Sequence, residues 1–146
     1  MSEIIVRVAQ GPDDLAKVLA IRARVYMGEQ DCPYDEEFDG NDYCAMHLLA
    51  MDGKEPAATM RIRFFAEFAK IERVAVMTKY RTGLAAKRLM DFALDLIRRK
   101  GYRKAYGHAQ KRLVRFWTRF GFQPMRKNYQ LVFSDHEYVE MVATLA

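Results

Sequence analysis

Val74-Ala75-Val76-Met77-Thr78-Lys79-Tyr80-Arg81-Thr82-Gly83-Leu84-Ala85-Ala86-Lys87 is a strand that runs into a short loop, and the loop opens a helix. Leu84, Leu89, Phe92, Ala93, Leu96 and Ile97 recur at helical spacing, which predicts a helix over 84–100. Gly101 closes it behind the basic run Arg98-Arg99-Lys100. The first turn of a helix leaves four N–H groups unpaired at the positive end of the macrodipole. Small side chains at Thr82, Gly83, Ala85 and Ala86 leave those groups open to a phosphate, with Lys79, Arg81 and Lys87 beside them. The loop is neither a Walker A loop nor a G-x-G-x-x-G fingerprint, and an ordinary strand-to-helix turn reads the same way.

Upstream, residues 4–9 predict a strand, and Gly11-Pro12-Asp13-Asp14 punctuates the chain before an amphipathic helix over 13–28. Residues 28–42 carry seven acids and no base, which predicts a loop with at most a helical turn after Pro33. Strands follow over 47–51, 57–65 and 69–76, the first two joined by the hairpin dipeptide Asp52-Gly53. Downstream come a strand over 104–109, a helix carrying Leu113, Phe116, Trp117 and Phe120 up to Gly121, and a strand pair over 129–134 and 138–144. The order β-α-β-β-β-α-β-α-β-β predicts an α+β (mixed α/β) fold. A mostly antiparallel sheet of about seven strands carries three or four helices, in one domain over residues 1–146.

The chain of 146 residues carries a net charge of +5. The first 73 residues sum to −5 and the last 73 to +10, so the C-terminal half reads either as a solvated basic surface or as one that meets a polyanion, nucleic acid or a phosphorylated cofactor. Nucleic acid is the weaker reading, because Phe116, Trp117 and Phe120 form one apolar stripe rather than exposed stacking platforms. No apolar run is long enough for a membrane span, and no secretory signal stands at the N-terminus. Two cysteines, Cys32 and Cys44, form no framework, so a cytoplasmic protein is expected. His47, His108 and His136 lack ligand spacing, and no metal is expected.

Three motifs at matching spacing make the chain resemble the GNAT superfamily of acyl-CoA-dependent N-acetyltransferases. Val74 and Val76 match the family's V-x-V strand, and Arg81 and Ala86 match the ends of its R/Q-x-x-G-x-G/A helix mouth. The central glycine position falls on Leu84, with Gly83 one place early. Phe116-Trp117-Thr118-Arg119-Phe120-Gly121-Phe122 is similar to the F-Y-x-x-L-G-F helix ending. Arg22, Val25, Tyr26, Glu29, Gln30, Pro33, Glu37, Asp39, Asp42 and His47 resemble a segment of small bacterial members, mostly of unassigned substrate.

The resemblance implies acetyl-CoA or another short acyl-CoA as co-substrate. Its contacts would be Val74, Ala75, Val76, Arg81, Thr82, Gly83, Leu84, Ala85, Ala86, Lys87 and Trp117. It also implies that the pantetheine arm hydrogen-bonds like an extra strand around Val74–Val76, where the sheet splays. The acceptor pocket would be bordered by Tyr26, Glu29, Gln30 and Asp39. The expected reaction is acyl transfer to a primary amine; a non-catalytic acyl-CoA sensor with the same fold is the alternative. The acidic stretch reads either as a solvated loop or as a wall that attracts a cationic amine. A homodimer stays open.

An amine of pKa near 10 is about 0.1% neutral at pH 7, so transfer needs a proton acceptor. Strand alternation places Glu72 on the face of Val74 and Val76, as a base or as a structural partner of Arg61 or Arg63. The helix-ending position that holds a tyrosine acid in many members is Trp117, whose indole is too weak an acid.

Overall fold

A computed structural model describes residues 3–125, 131–133 and 136–145. The strands are β1 (Ile4–Val8), β2 (Met46–Asp52), β3 (Glu55–Phe64), β4 (Ala69–Val76), β5 (Lys104–Gln110), β6 (Phe122–Pro124), β7 (Leu131–Phe133) and β8 (His136–Thr144). The helices are α1 (Gly11–Arg22), α2 (Tyr34–Glu37), α3 (Leu84–Arg99) and α4 (Val114–Thr118). One sheet runs β1-β2-β3-β4-β5-β8-β6, with β7 against β8. Every pairing is antiparallel except β4 with β5. This is the expected α+β architecture, with the three-residue β6 as an additional strand. The expected final pair is β7 and β8; residues 129–130 and 134–135 of that expectation lie outside the described residues.

Helices cover both faces of the sheet. On one face Ala85, Leu89, Met90, Ala93 and Ile97 of α3 join Leu48, Met60, Ile62, Ile71 and Ala105 in the main core. On the other, Val18, Ile21 and Val25 cover Leu49, Met51 and Ala75. Burying side chains of this size contributes roughly 1.5–3 kcal/mol each.

The expected helix over 13–28 ends early. Regular α-helix stops at Arg22, and Ala23–Glu29 continue as a π-helix. The wider turn is a local distortion of a kind often seen at functional sites, and here it carries Tyr26 and Glu29. The expected 28–42 loop does form a helical turn after Pro33, α2.

Candidate active site

Two irregularities of β4 build the site. Its parallel pairing with β5 ends at Ile71 with Gly107, yet β4 runs on to Val76 and β5 to Gln110. The strands therefore part into a fork. In the same stretch Arg73 takes a φ of 54°, and the β3 register passes from Arg61–Glu72 to Thr59–Ala75. Three steps on β4 thus oppose two on β3, which is a bulge.

The bulge reverses the faces. Ile71 belongs to the α3 core and Ala75 to the α1 core, while Val74 and Val76 pack on the α3 side. Unbroken alternation would have put Glu72 with Val74 and Val76. The structure corrects that placement: Glu72 lies on the α1 face, opposite both valines. Strain at Arg73 is of the order of 1–3 kcal/mol, and its neighbours offset it. Arg73 Nη2 donates to the Glu36 carbonyl at 2.9 Å and to Asp39 at 3.2 Å.

Side chains converge on the fork. The Tyr26 hydroxyl donates to the Val74 carbonyl at 2.7 Å, and Arg81 Nε to the Val76 carbonyl at 2.9 Å. In a strand the N–H of a residue points the same way as its C=O, so the Val74 and Val76 amides also face the fork. Burial raises the Tyr26 pKa above the ordinary tyrosine value, which makes this hydroxyl a fixed donor.

Past the fork, Thr78–Tyr80 make one tight turn and Gly83 enters α3 at a φ of 95°. That left-handed conformation accounts for the glycine at 83, where a Cβ would be strained. The first bond inside the helix is Lys87 N–H to the Gly83 carbonyl at 3.0 Å. No side chain caps the helix, so the Leu84, Ala85 and Ala86 amides point out of its mouth. Thr82 and Leu84 are exposed, Ala85 is buried by its methyl, and Lys87 pairs with Asp91 at 2.8 Å. Lys79 pairs with Glu55 at 3.4 Å.

The expected cofactor and acceptor residues are not independent. Arg81 and Glu29 form an ion pair at 2.7 Å, and Thr78 reaches Glu29 at 3.4 Å. The pair is 43% and 33% exposed, so it adds little stability; its effect is to close one side of the α3 mouth. Gln30 ends the π-helix with its N–H on the Val25 carbonyl.

Trp117 lies inward from α4. It is 5% exposed and meets Phe122 edge-on with ring centres 4.9 Å apart. Its indole lies over Gly107. The stripe reading of this residue holds: the ring is core.

The acidic stretch is also corrected in part. Arg22, fully buried, donates to Glu37 at 2.6 Å and to Asp42 at 2.5 Å. Arg61, also fully buried, donates to Asp42 at 3.0 Å, to both Asp39 oxygens at 2.9 Å, and to Glu72. Arg63 holds the second Glu72 oxygen at 2.5 Å, and Arg73 reaches Glu37 at 3.1 Å. Four arginines meet four carboxylates, so Glu37, Asp39 and Asp42 clamp the loop to β3 and β4 and present no negative wall.

Burial raises the Glu72 carboxyl, but the Arg63 and Arg61 hydrogen bonds outweigh it and the pKa is lowered. That is the structural alternative for Glu72, and it makes a weak base. Asp39 and Asp42 are lowered by the same balance.

Sequence reading missed Arg22 and Arg61 as the centre of this cluster. It also missed a polar row on β5, where Tyr106, His108 and Gln110 alternate with Gly107 and Ala109. The signal for the row was present, since Tyr-Gly-His-Ala-Gln alternates polar with small residues. Among the described residues no group of acids, histidines and cysteines could hold a metal ion, and no helix is long and apolar enough to cross a membrane.

The acetyltransferase (GNAT) family model matches residues 15–122. Protein ElaA of Escherichia coli is 31% identical over 122 residues, covering 80% of this chain and 79% of its own. Its crystal structure superposes with a TM-score of 0.83 at 27% identity, covering 97% of this chain and 99% of that one. An acyl-CoA N-acyltransferase from Pseudomonas aeruginosa gives a TM-score of 0.85 at 25% identity, with 99% and 100% coverage. The uncharacterized N-acetyltransferase YjcF of Bacillus subtilis is 26% identical over 137 residues, 91% of this chain and 89% of its own.

Proposed function

Because the chain belongs to the acetyltransferase (GNAT) family, we propose that it transfers an acetyl or other short acyl group from an acyl-CoA to a primary amine by direct attack. The observation that carries this reading is the fork between β4 and β5. An extended, amide-bearing pantetheine arm suits a gap in which two strands turn backbone donors and acceptors toward each other. The Val74 and Val76 amides are then placed to stabilise charge developing on a thioester oxygen. The uncapped mouth of α3 lies at the end of the same strand, and its amides suit a pyrophosphate.

Arg81 has a double part in this reading. It is tied to Glu29 and the Val76 carbonyl, so it shapes the mouth while keeping a guanidinium beside an incoming phosphate. The acceptor enters on the α1 face, bordered by Tyr26, Glu29 and Gln30. A charge-balanced arginine–carboxylate cluster beneath gives that face rigidity rather than attraction for a cation.

Calorimetry with acetyl-CoA, followed by thiol release with a panel of primary amines, tests the proposal. Binding with sustained thiol release is the expected result. Absence of acetyl-CoA binding overturns the reading, and binding without turnover of any amine favours the acyl-CoA sensor.

A further inference from the structure

The α1 face of the sheet continues past the arginine–carboxylate cluster to the last residues at which β4 and β5 are joined. Ala69 and Ile71 turn into the α3 core, as does Ile62 of β3. Strand alternation therefore puts Lys70 on the α1 face with Glu72, and Arg63 on that face beside them. Lys70 is in register with Arg63 on one side and with Tyr106 of β5 on the other. It stands one residue before Ile71, where the pairing with β5 ends and the fork opens.

Like charges directly opposite on neighbouring strands, with Cβ atoms about 4.5–5.5 Å apart, destabilise a sheet. The cation pair Arg63 and Lys70 is in that position, and no acid lies between them. Glu72, two residues along β4, is already taken: Arg61 holds one of its oxygens and Arg63 Nε the other. Lys70 makes no hydrogen bond or ion pair among the described residues, and the two Nη groups of Arg63 donate to none of them. The four arginines and four carboxylates of the cluster cancel, which leaves Lys70 over.

The Lys70 side chain is half-buried all the same. Burial lowers its pKa, Glu72 opposes this, and Arg63, Arg61 and Arg73 add to it. Phe65 and Phe68, from the β3–β4 connection, stack with ring centres 4.9 Å apart, and Phe68 meets Tyr106 edge-on at 5.8 Å. The Arg63 guanidinium lies over the Phe65 ring at 5.4 Å. Aromatic carbon thus bounds the two cations, and a charge pair formed there is stronger than one in open water.

We infer that Lys70 and Arg63 form an anion subsite for the acceptor, and that the acceptor is a primary amine that also carries a carboxylate; this rests on the N-acyltransferase reading. A carboxylate between the two side chains replaces repulsion by charge-assisted contacts, and the planar Nη pair of Arg63 suits its two oxygens. Val74 lies four residues further along β4, on the order of 13 Å at the rise of an extended strand. The flexible stem of Lys70 spans part of that distance. The amine and the carboxylate of the acceptor are therefore separated by a chain of several atoms, as in 6-aminohexanoate or at the side-chain amine of free lysine. Such a subsite selects an anion-bearing amine over a polyamine.

The test measures thiol release from acetyl-CoA with two matched pairs of amines, 6-aminohexanoate against pentylamine and free lysine against cadaverine. The members of each pair differ by one carboxylate. The parent should favour the carboxylate-bearing member in kcat/KM, chiefly through KM. In Lys70→Met that preference should fall about 10-fold or more, the size expected for a lost charge-assisted contact. Lys70→Arg should keep most of it, and Lys70→Glu should turn it toward cadaverine. A merely structural lysine would move both members of a pair alike. A preference unchanged in Lys70→Met, or a parent that acetylates amines but favours no carboxylate-bearing member, overturns the assignment and leaves the N-acyltransferase reading standing. A parent that binds acetyl-CoA and acetylates no amine overturns both. Should Lys70→Met fail to fold, Lys70→Gln decides by the same ratio.

Discussion

Gly107→Ala tests the packing at the last β4–β5 pair, where the fork begins. An ideal Cβ at this position would lie 2.6 Å from Cζ3 of Trp117 and 2.7 Å from its Cη2, with the Ile71 carbonyl oxygen at 3.1 Å. Carbon atoms pack best at about 3.5–4.0 Å, so the indole must retreat by roughly 1 Å. It has little room, because Phe122 holds it edge-on and it is almost fully buried. The carbonyl cannot yield either without disturbing the last β4–β5 pair. Overpacking of this kind costs about 1–3 kcal/mol, or roughly 2–10 °C in Tm for a chain of this size. Trp117 is the single tryptophan, so fluorescence reports the same event, and a red shift is expected as the ring moves toward water. Both clashing atoms belong to the outer ring of the indole. Trp117→Phe removes that ring, so the double variant should be more stable than the two single losses predict, by about 1 kcal/mol or more. Strict additivity, or a Gly107→Ala loss below about 0.5 kcal/mol, would refute the packing argument.

Two further expectations concern the charge cluster. Arg22→Met leaves Glu37 and Asp42 buried without their shared partner, which should cost about 3–5 kcal/mol by urea unfolding; a loss under about 1 kcal/mol would show that the clamp contributes nothing net. Stability should also fall in two stages as pH drops. His47 comes first: burial holds its folded pKa below 6.5, so the unfolded chain takes up the proton sooner and stability declines below that pH. The carboxylates Asp39, Asp42 and Glu72 come second. Their folded pKa values lie below ordinary ones, so their contribution is complete above the unfolded range near about 4 and is lost below it. Glu37 is raised by burial and runs the other way. His47→Gln should shrink the first stage, leaving the share of His108, which is also held low; a Tm unchanged between pH 7 and 5 in the parent would refute the ordering.

Local chemistry made most of the fold legible. Asp52-Gly53 announces its hairpin, and the spacing of Leu89, Phe92, Ala93, Leu96 and Ile97 announces α3 with an error of one residue. The bulge was hidden because its left-handed residue is an arginine, which carries no turn signature, and Glu-Arg-Val-Ala-Val still alternates plausibly on paper. The π-helix was hidden for a similar reason, since Ala23–Glu29 fit an α-helical stripe and only long-range contacts such as Tyr26 with Val74 widen the turn. The charge cluster joins residues 15, 20 and 22 positions apart. A loop rich in acids gives no sign of which distant arginine will neutralise it. In the candidate site the valines of β4 and the mouth of α3 were readable from motif order, while the roles of Glu72 and Trp117 depended on which face each side chain took.

The fork also exposes the sheet to a hazard. Unmatched strand edges attract other strands, and proteins guard them with charge, bulges or cover. This sheet has its outer edges at β1 on one side and at β6 and β7 on the other, and the parting of β4 from β5 adds two more in its middle. Tyr26 and Arg81 each occupy a β4 carbonyl there, and the bulge at Arg73 breaks the flat repeat that a foreign strand would need. The features that shape a binding site thus also act as guards against misassembly, and a variant stripped of both donors would offer neighbouring chains a bare template.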